Sequence, residues 1–329
     1  MTTPFTTLRL SLKPVTAFGT PLLGETLFGQ LCWVIKNTFG EERLMALLEG
    51  YTTGHPFVVL SDAFPKGFLP LPALPDNLWD ASNDQDRKYL KKKAWLPDFA
   101  LSTKPSGWRK LARTNGEVLS QATPLSEEEM KKEPPYAKTE AVIHNTIDRL
   151  TGTTGTNEFA PYVRLQTWFN SKLLLSVYAV LDESRLSRKE FIECFRTIGL
   201  CGFGRDASSG QGKFELDEHV EEVSLRTPGV SNRTVMTLAS SVLARTPHIV
   251  AEKCLYRTKT HFGRHGDALA LTGSPFKRPI LLAQSAAIVT FDTPFTGTFL
   301  GRGISGISLA HPETVHQGFA PVVAIPDIF

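Results

Sequence analysis

Residues 202–216 read GFGRDASSGQGKFEL, with glycines at 202, 204, 210 and 212 and with Arg205 and Lys213 among them. Ordered glycine loses more conformational freedom than any other residue. Such a density therefore calls for a backbone that turns through positive φ or is approached too closely for a side chain. Its flanks restrict the fold further. Upstream, Ser187 and Glu190 make a capping box, with Leu186 and Phe191 at the N′ and N4 positions of a hydrophobic staple. The helix so started carries Phe191, Ile192, Phe195 and Ile198 inward and stops at Gly199 or Gly202. Downstream, KFELDEH reads as a strand with Phe214 and Leu216 on one face. The glycine run is thus an α-to-β connection.

The preceding chain supplies partners for that unit. TLRLSLK, residues 7–13, alternates Leu8, Leu10 and Leu12 with polar residues, the pattern of a half-buried strand. The loop PVTAFGTPLLGE leads to a helix with Leu27, Phe28, Leu31, Val34, Ile35 and Phe39 at helical spacing, ended by Gly40; EERLMALLEG adds a second helix, ended by Gly50. HPFVVLSDAF, residues 55–64, reads as the next strand. Residues 65–140 break the pattern: they are rich in Pro, Lys and Asp, hold the run Lys91 to Lys93, and predict an exposed helix at SEEEMKKE with Glu–Lys pairs four apart. Order resumes with YVRLQTWFN and with KLLLSVYAVLD, which is apolar on both faces as a central strand is. The elements run β-α-β, insertion, β-α-β. That is the ferredoxin-like order: a four-stranded antiparallel sheet with two helices on one face, in the α+β class.

Composition limits the functional classes. The 329 residues are 41% hydrophobic and 21% charged, the balance of a globular chain with room for two domains. No apolar run reaches the length of a membrane span, and MTTPFTTLRL lacks the pattern of a signal peptide. Cys32, Cys194, Cys201 and Cys254 are scattered without a CxxC pair, which suits reduced thiols in the cytoplasm and no zinc site. A net charge of +3 permits local basic patches without announcing a nucleic-acid binder.

GFGRDA matches the GxGxxA form of the dinucleotide fingerprint, but that motif follows a strand and opens a helix, the reverse of the order here. A phosphate-binding P-loop fails because Phe214, not Ser or Thr, follows Gly212-Lys213. Two readings stay open: a long flexible connection, and a backbone that approaches phosphates through its N–H groups with basic side chains beside it.

Four stretches together resemble one known family. GFGRDASSGQGKFEL resembles the glycine-rich loop of the RAMP superfamily of CRISPR proteins, and FGTPLLGETLFGQLCWVI is similar to the N-terminal signature of one branch, the fourth subunit of the type III-A (Csm) effector complex. HNTIDRLTGTTGTNEF, residues 144–159, resembles the thumb hairpin of these subunits, and GISGISLAHPETVHQGFAPVVAIP resembles their closing segment. The resemblance implies two ferredoxin-like modules, the second degenerate. The first would occupy residues 1–218, with an insertion at 65–162 that includes the thumb and a glycine-rich loop at 202–213; the second would occupy 219–329. It also implies a non-catalytic subunit without cofactors. Such a subunit grips the 5′ handle of the guide RNA, contacts the large polymerase-like subunit and the first backbone subunit, and meets target RNA only through the guide.

The RNA contacts so implied are Gly202, Phe203, Gly204, Arg205, Ser208, Ser209, Gly210, Gln211, Gly212 and Lys213 in the glycine loop, Phe18 in the β1 loop, and His144, Asn145, Arg149 and Thr151 in the thumb. Phe18 and Phe203 could stack on splayed bases or pack beneath their own loops. Ile147 and Leu150 give the thumb an apolar wedge beside Thr151-Gly152 and Thr154-Gly155. Beyond residue 219, RTVMTLASSVL, KCLYRTKTHF, PILLAQSAAIVTFD and APVVAI read as strands without an amphipathic helix.

Two rival functions remain. A ribonuclease needs a base near the 2′-hydroxyl and a cation for the phosphorane. The β1-to-helix loop, where the related backbone subunit places an Asp, holds only Glu25; His144 and Asp148 lie in a hairpin, and His261, His265, His311 and His316 have no convincing carboxylate partner. A small-molecule module on the same sheet is the other rival, since fold does not fix function.

Overall fold

The computed structural model describes residues 5–80, 87–122, 136–155, 159–227, 229–271 and 273–329. Strand β1 (Phe5–Pro14) leads to helix α1 (Gly24–Phe39), and Gly40, at φ +93°, turns the chain into α2 (Glu41–Leu48). The expected second strand is present but broken. It divides into β2 (Val58–Leu60) and β3 (Phe64–Pro65) because Ser61 and Asp62 turn between two bodies: the Ser61 N–H donates to Tyr178 O, and the Asp62 N–H donates to Leu238 O in the second half.

The following segment is folded, contrary to the expectation of a structureless loop. Strands β4 (Phe68–Pro70) and β5 (Trp95–Pro97) pair, and short helices α3 (Arg87–Leu90), α4 (Trp108–Leu111) and α5 (Asn115–Ala122) accompany them. They close over Trp108, which is fully buried and donates its indole N–H to Ala100 O at 2.8 Å. Elements this short show no hydrophobic period, so the sequence conceals the core they build. Lys93 is likewise no solvated member of the lysine run; it is buried and donates to the carbonyls of Arg109 and Lys110 at 3.1 Å each. The SEEEMKKE helix expected over 126–133 lies outside the described residues.

A long hairpin follows, β6 (Ala137–His144) against β7 (Tyr162–Phe169), and then β8 (Leu175–Asp182), α6 (Arg188–Cys201), β9 (Phe214–Leu216) and β10 (Glu221–Glu222). Every residue of β8 is buried, as its two-sided apolar sequence requires. It pairs antiparallel with β1 from Phe5↔Asp182 to Leu12↔Leu175, while β2 and β3 flank β8 and β9 and β10 flank β1. Leu8, Leu10 and Leu12 point to the side where α1 and α6 lie and share one core with Leu27, Phe28, Leu31, Phe191, Phe195 and Ile198.

The second half holds β11 (Thr234–Thr237), β12 (Thr258–His261), β13 (Ile280–Ala283), β14 (Ile288–Thr290), β15 (Phe299–Gly301) and β16 (Phe319–Ile325). Each strand-like stretch read from the sequence contains at least one of them, PILLAQSAAIVTFD holds both β13 and β14, and β15 was not read. They form an antiparallel sheet in the order β14-β11-β16-β15 and a separate β12–β13 arm. The halves share a second core, in which Tyr178, Met236, Leu238, Ile288 and Val323 meet Leu96, Leu101 and Trp108 of the inserted segment. Gln317 adds a polar clasp: its wholly buried amide accepts from Leu60 N at 2.9 Å and donates to Leu60 O at 2.8 Å. Among the described residues no helix is long and apolar enough to cross a membrane.

Candidate nucleic-acid interface

The capping box at Ser187 and Glu190 fixes where α6 begins, and Gly202, at φ +94°, ends it with its N–H on Ile198 O. From there the loop folds on itself. Phe203 N donates to Gly212 O at 3.0 Å, and Gly212 N donates to Ala17 O at 2.7 Å. A Cβ on Gly202 would stand 2.3 Å from Gln211 O, on Gly204 2.5 Å from Thr20 Cβ, and on Gly212 2.2 Å from Phe203 O. So the atoms crowding this backbone belong to the protein: three of the four glycines let the loop close and dock on the β1–α1 loop. Gly210, at φ +89°, is different, with nothing within 4 Å of its Cβ position.

Two hydroxyls of the β1–α1 loop hold this docking. Thr20 Oγ1 accepts from Arg205 N and Thr16 Oγ1 accepts from Lys213 N, both at 2.9 Å. The same loop is stitched to the hairpin, since Phe18 and Thr167 exchange both backbone hydrogen bonds at 2.9 Å. Arg205 then reaches across to donate from Nη2 to Leu165 O at 2.8 Å, with its Nε 3.4 Å from Asp206 Oδ2, and Arg164 of β7 pairs with Asp206. Asp206 itself sits at φ +66°, a left-handed conformation that Asp tolerates better than most residues. The glycine loop and the β1–α1 loop therefore lie along the edge of β7 that faces away from β6.

The outward surface of this assembly carries the Arg205 guanidinium, the Ser208 and Ser209 hydroxyls on a short 3-10 turn, and open backbone at Gly210, with half-buried Gln211 and Lys213 beside them. Phe18 and Phe203 are absent from it. Both are at most 3% exposed, and Phe18 packs edge-on against Phe169 at 5.6 Å. The packing alternative holds for these two rings, because each plugs the core beneath the loop that carries it. Buried Gly202 and Gly212 likewise serve the loop's shape.

Farther along β7, His144 stacks on Tyr162 with ring centroids 5.4 Å apart, and the Arg164 guanidinium lies 4.9 Å from the Tyr162 ring. Asn145, Arg149 and Thr151 are exposed beyond it. Asp148 shapes the tip: its carboxylate accepts from Leu150 N at 2.8 Å and its carbonyl from Gly152 N at 2.8 Å. Ile147 and Leu150 are 60% and 96% exposed, so the apolar wedge projects outward. Residues 156–158 of this stretch lie outside the described ones. Thr16, Thr20, Tyr162, Arg164 and Asp206 were not read from the sequence as part of the site; the one available signal was the pair of hydroxyls flanking the glycine of PVTAFGTPLLGE.

Glu25, the sole carboxylate of that loop, is turned into the molecule. Its side chain is fully buried, 2.7 Å from Lys259 Nζ and 3.7 Å from His261 Nδ1. Nearby, burial and then the Glu25 charge push the Asp62 carboxyl up to about 7, while it accepts from Gly24 N at 2.8 Å. His316 is buried beside His261, and burial holds its imidazole well below the usual range. Among the described residues no group of three His, Cys, Asp or Glu side chains is placed to hold a metal. On the other face of the central sheet, Tyr178, Phe99, Leu101 and Val323 line a cleft of about 490 Å³, whose Arg9 is already paired with Glu221.

No known protein-family profile matches the chain, and no curated protein matches it. Solved structures do. A chain of the Csm3–Csm4 subcomplex in the type III-A CRISPR-Cas interference complex superposes with a TM-score of 0.56 at 14% identity, over 97% of this chain and 99% of that one. A chain of the Csm1–Csm4 cassette in complex with pppApA gives 0.54 at 15% identity, and one of the cassette in complex with cA4 gives 0.54 at 17%, each over 97% and 98% of the two chains. Csm4 is the subunit common to these assemblies. From end to end, the chain has the fold of a subunit of the Csm4-containing type III-A complexes.

Proposed function

We propose that this chain is a non-catalytic, RNA-binding subunit of a cytoplasmic type III-A CRISPR interference complex acting in antiviral defence. It grips the 5′ handle of the guide RNA and bridges the large polymerase-like subunit to the backbone subunits. In this reading the sheet β9-β1-β8-β2 with α1 and α6 is a ferredoxin-like module, and the helix-poor second sheet is its degenerate copy. The observation that carries the proposal is the junction of glycine loop, β1–α1 loop and β7. It presents the Arg205 guanidinium, the Ser208 hydroxyl and the Lys213 ammonium beside a projecting hairpin, donors that suit phosphate oxygens, while the Ser209 hydroxyl and the Gly210 N–H are spent on Asp206 O and Ala207 O within the loop. The Csm1 and Csm3 partners of its structural neighbours support the two protein contacts. Target RNA meets the chain only through the guide.

Binding of a handle-bearing guide RNA tests this. Lys213→Ala combined with Ser208→Ala should weaken retention and shallow the salt dependence of affinity by roughly one unit of slope. Unchanged retention and slope would refute the assignment. A guide-processing nuclease is the rival reading, and the inward burial of Glu25 speaks against it. Guide precursor and target RNA should stay intact with the pure protein, with or without divalent metal. Site-specific cuts abolished by His144→Ala would instead establish a nuclease.

A further inference from the structure

The arm formed by β12 and β13 is distinct from the surface just described and belongs to the other half of the chain. Its ladder runs from Thr258↔Ala283 to His261↔Ile280 and continues to the tip through a bridge between Arg264 and Phe276. Alternation sorts the arm's side chains. Lys259, His261 and Leu282 turn inward, where Lys259 meets Glu25 and Leu282 is buried. Thr258, Thr260, Phe262 and Arg264 turn outward with Leu281 opposite Thr260.

That outward face is unusual for solvent. Phe262 is 76% exposed, Phe276 71% and Leu281 66%, and the Arg264 guanidinium lies over the Phe276 ring at 5.7 Å from its centroid. Charge distinguishes the occupant. Residues 253–281 hold Lys253, Arg257, Lys259, Arg264, Lys277 and Arg278 against the single acid Asp267, a net +5 in a chain whose net charge is +3, with Lys259 paired outside the arm, to Glu25. Arg264 lies over Phe276, and Arg257 and Arg278 are exposed elsewhere on the same arm. Protein contact centres also enrich Arg and aromatic side chains, so it is the excess of base over acid along the arm that favours nucleic acid. Aromatic faces set among basic side chains suit single-stranded nucleic acid, whose bases stack while its phosphates are neutralised.

We propose that the β12–β13 arm is a second, sequence-tolerant platform for single-stranded RNA, with Phe262 and Phe276 stacking bases and Arg264, Arg257 and Arg278 meeting phosphates. It is a proposal separate from the glycine loop, since it rests on Phe262, Phe276 and Arg264 of the second half.

The test is the affinity of the full chain for a fluorescent oligouridylate of twelve nucleotides, which carries no handle sequence. Phe262→Ala with Phe276→Ala should weaken binding roughly 10- to 100-fold, the loss expected for one or two stacked bases, whereas Phe262→Trp with Phe276→Trp should retain it. Arg264→Ala should shallow the salt slope by about one unit. These side chains are mostly exposed, so the melting temperature should stay within a degree or two of the parent. Unchanged oligouridylate affinity in the double alanine variant overturns the proposal. So does a loss confined to association with a sister subunit, which would make the arm a protein interface. The chain carrying Ser208→Ala and Lys213→Ala separates the two readings. If that variant alone loses RNA, the platform falls and the glycine loop stands; if the phenylalanine variant alone loses it, the reverse holds.

Discussion

Gly210 and Gly212 stand two residues apart, both at positive φ, and do different things. A side chain at 212 collides with the Phe203 backbone, whereas at 210 it enters open space. Gly212→Val should therefore destabilise the protein by more than the ~1–2 kcal/mol of left-handed strain alone and loosen the loop before any RNA arrives. Gly210→Ala should cost about 1 kcal/mol and leave the loop docked, while its methyl group faces the ligand. Thermal melts paired with handle-RNA affinity would check both; equal melting temperatures for the two variants would contradict this division. The glycines' need for a close approach was legible in sequence, but not what approaches. Phe18 and Phe203 were ambiguous for the same reason. A phenylalanine in a loop suits a base or a core equally, and only the fold decides that Phe169 waits beneath Phe18.

Among elements, those with a local signature were legible. The capping box of α6 is present with both of its hydrogen bonds, and the apolar run of β8 is wholly buried. Ser187→Ala should lower stability by about 1 kcal/mol, read by denaturant midpoint, since that side chain satisfies an otherwise unpaired N–H at the start of the helix that aims the glycine loop. Elements without such a signature escaped. β6 reads AKTEAVIH, mostly polar or exposed, and among the described residues pairs only with β7, so no buried face marks it as a strand. One face of the hairpin nevertheless exposes Ile143, Val163 and Leu165 by 71%, 61% and 58%. Val163→Asp with Leu165→Asp should change the melting temperature little yet abolish co-purification with guide RNA or a sister subunit. A variant that assembles normally would remove the hairpin from the interface.

For the whole molecule, the junction between halves could not be seen from sequence because its groups lie up to 291 positions apart: Glu25 and Asp62 on one side, Lys259, His261, Lys277 and His316 on the other. The resemblance supplied the outline of two modules; it did not supply the shared core around Trp108 or the Gln317 clasp. Burial of these groups makes stability depend on pH in two opposed ways. Asp62, raised to about 7 by burial and then by Glu25, contributes stability that is present below the ordinary carboxylate range and lost as pH rises through 7. His316 and His261, depressed by burial, contribute stability that is present above the ordinary histidine range and lost as pH falls below it. Relative to the parent, Asp62→Asn should thus melt progressively higher from about pH 4 to pH 7 and level off above; parallel melting curves across that range would mean Asp62 does not titrate there. The proposed RNA contact lies where the glycine loop runs along β7, beside the same β1–α1 loop that leads to Glu25. Hydrogen–deuterium exchange of the chain, with and without a guide RNA bearing its 5′ handle, addresses it without altering a residue. Exchange should slow at Arg205 to Lys213 and at Tyr162 to Trp168 once RNA is bound. RNA binding that leaves exchange in both segments unchanged would contradict it.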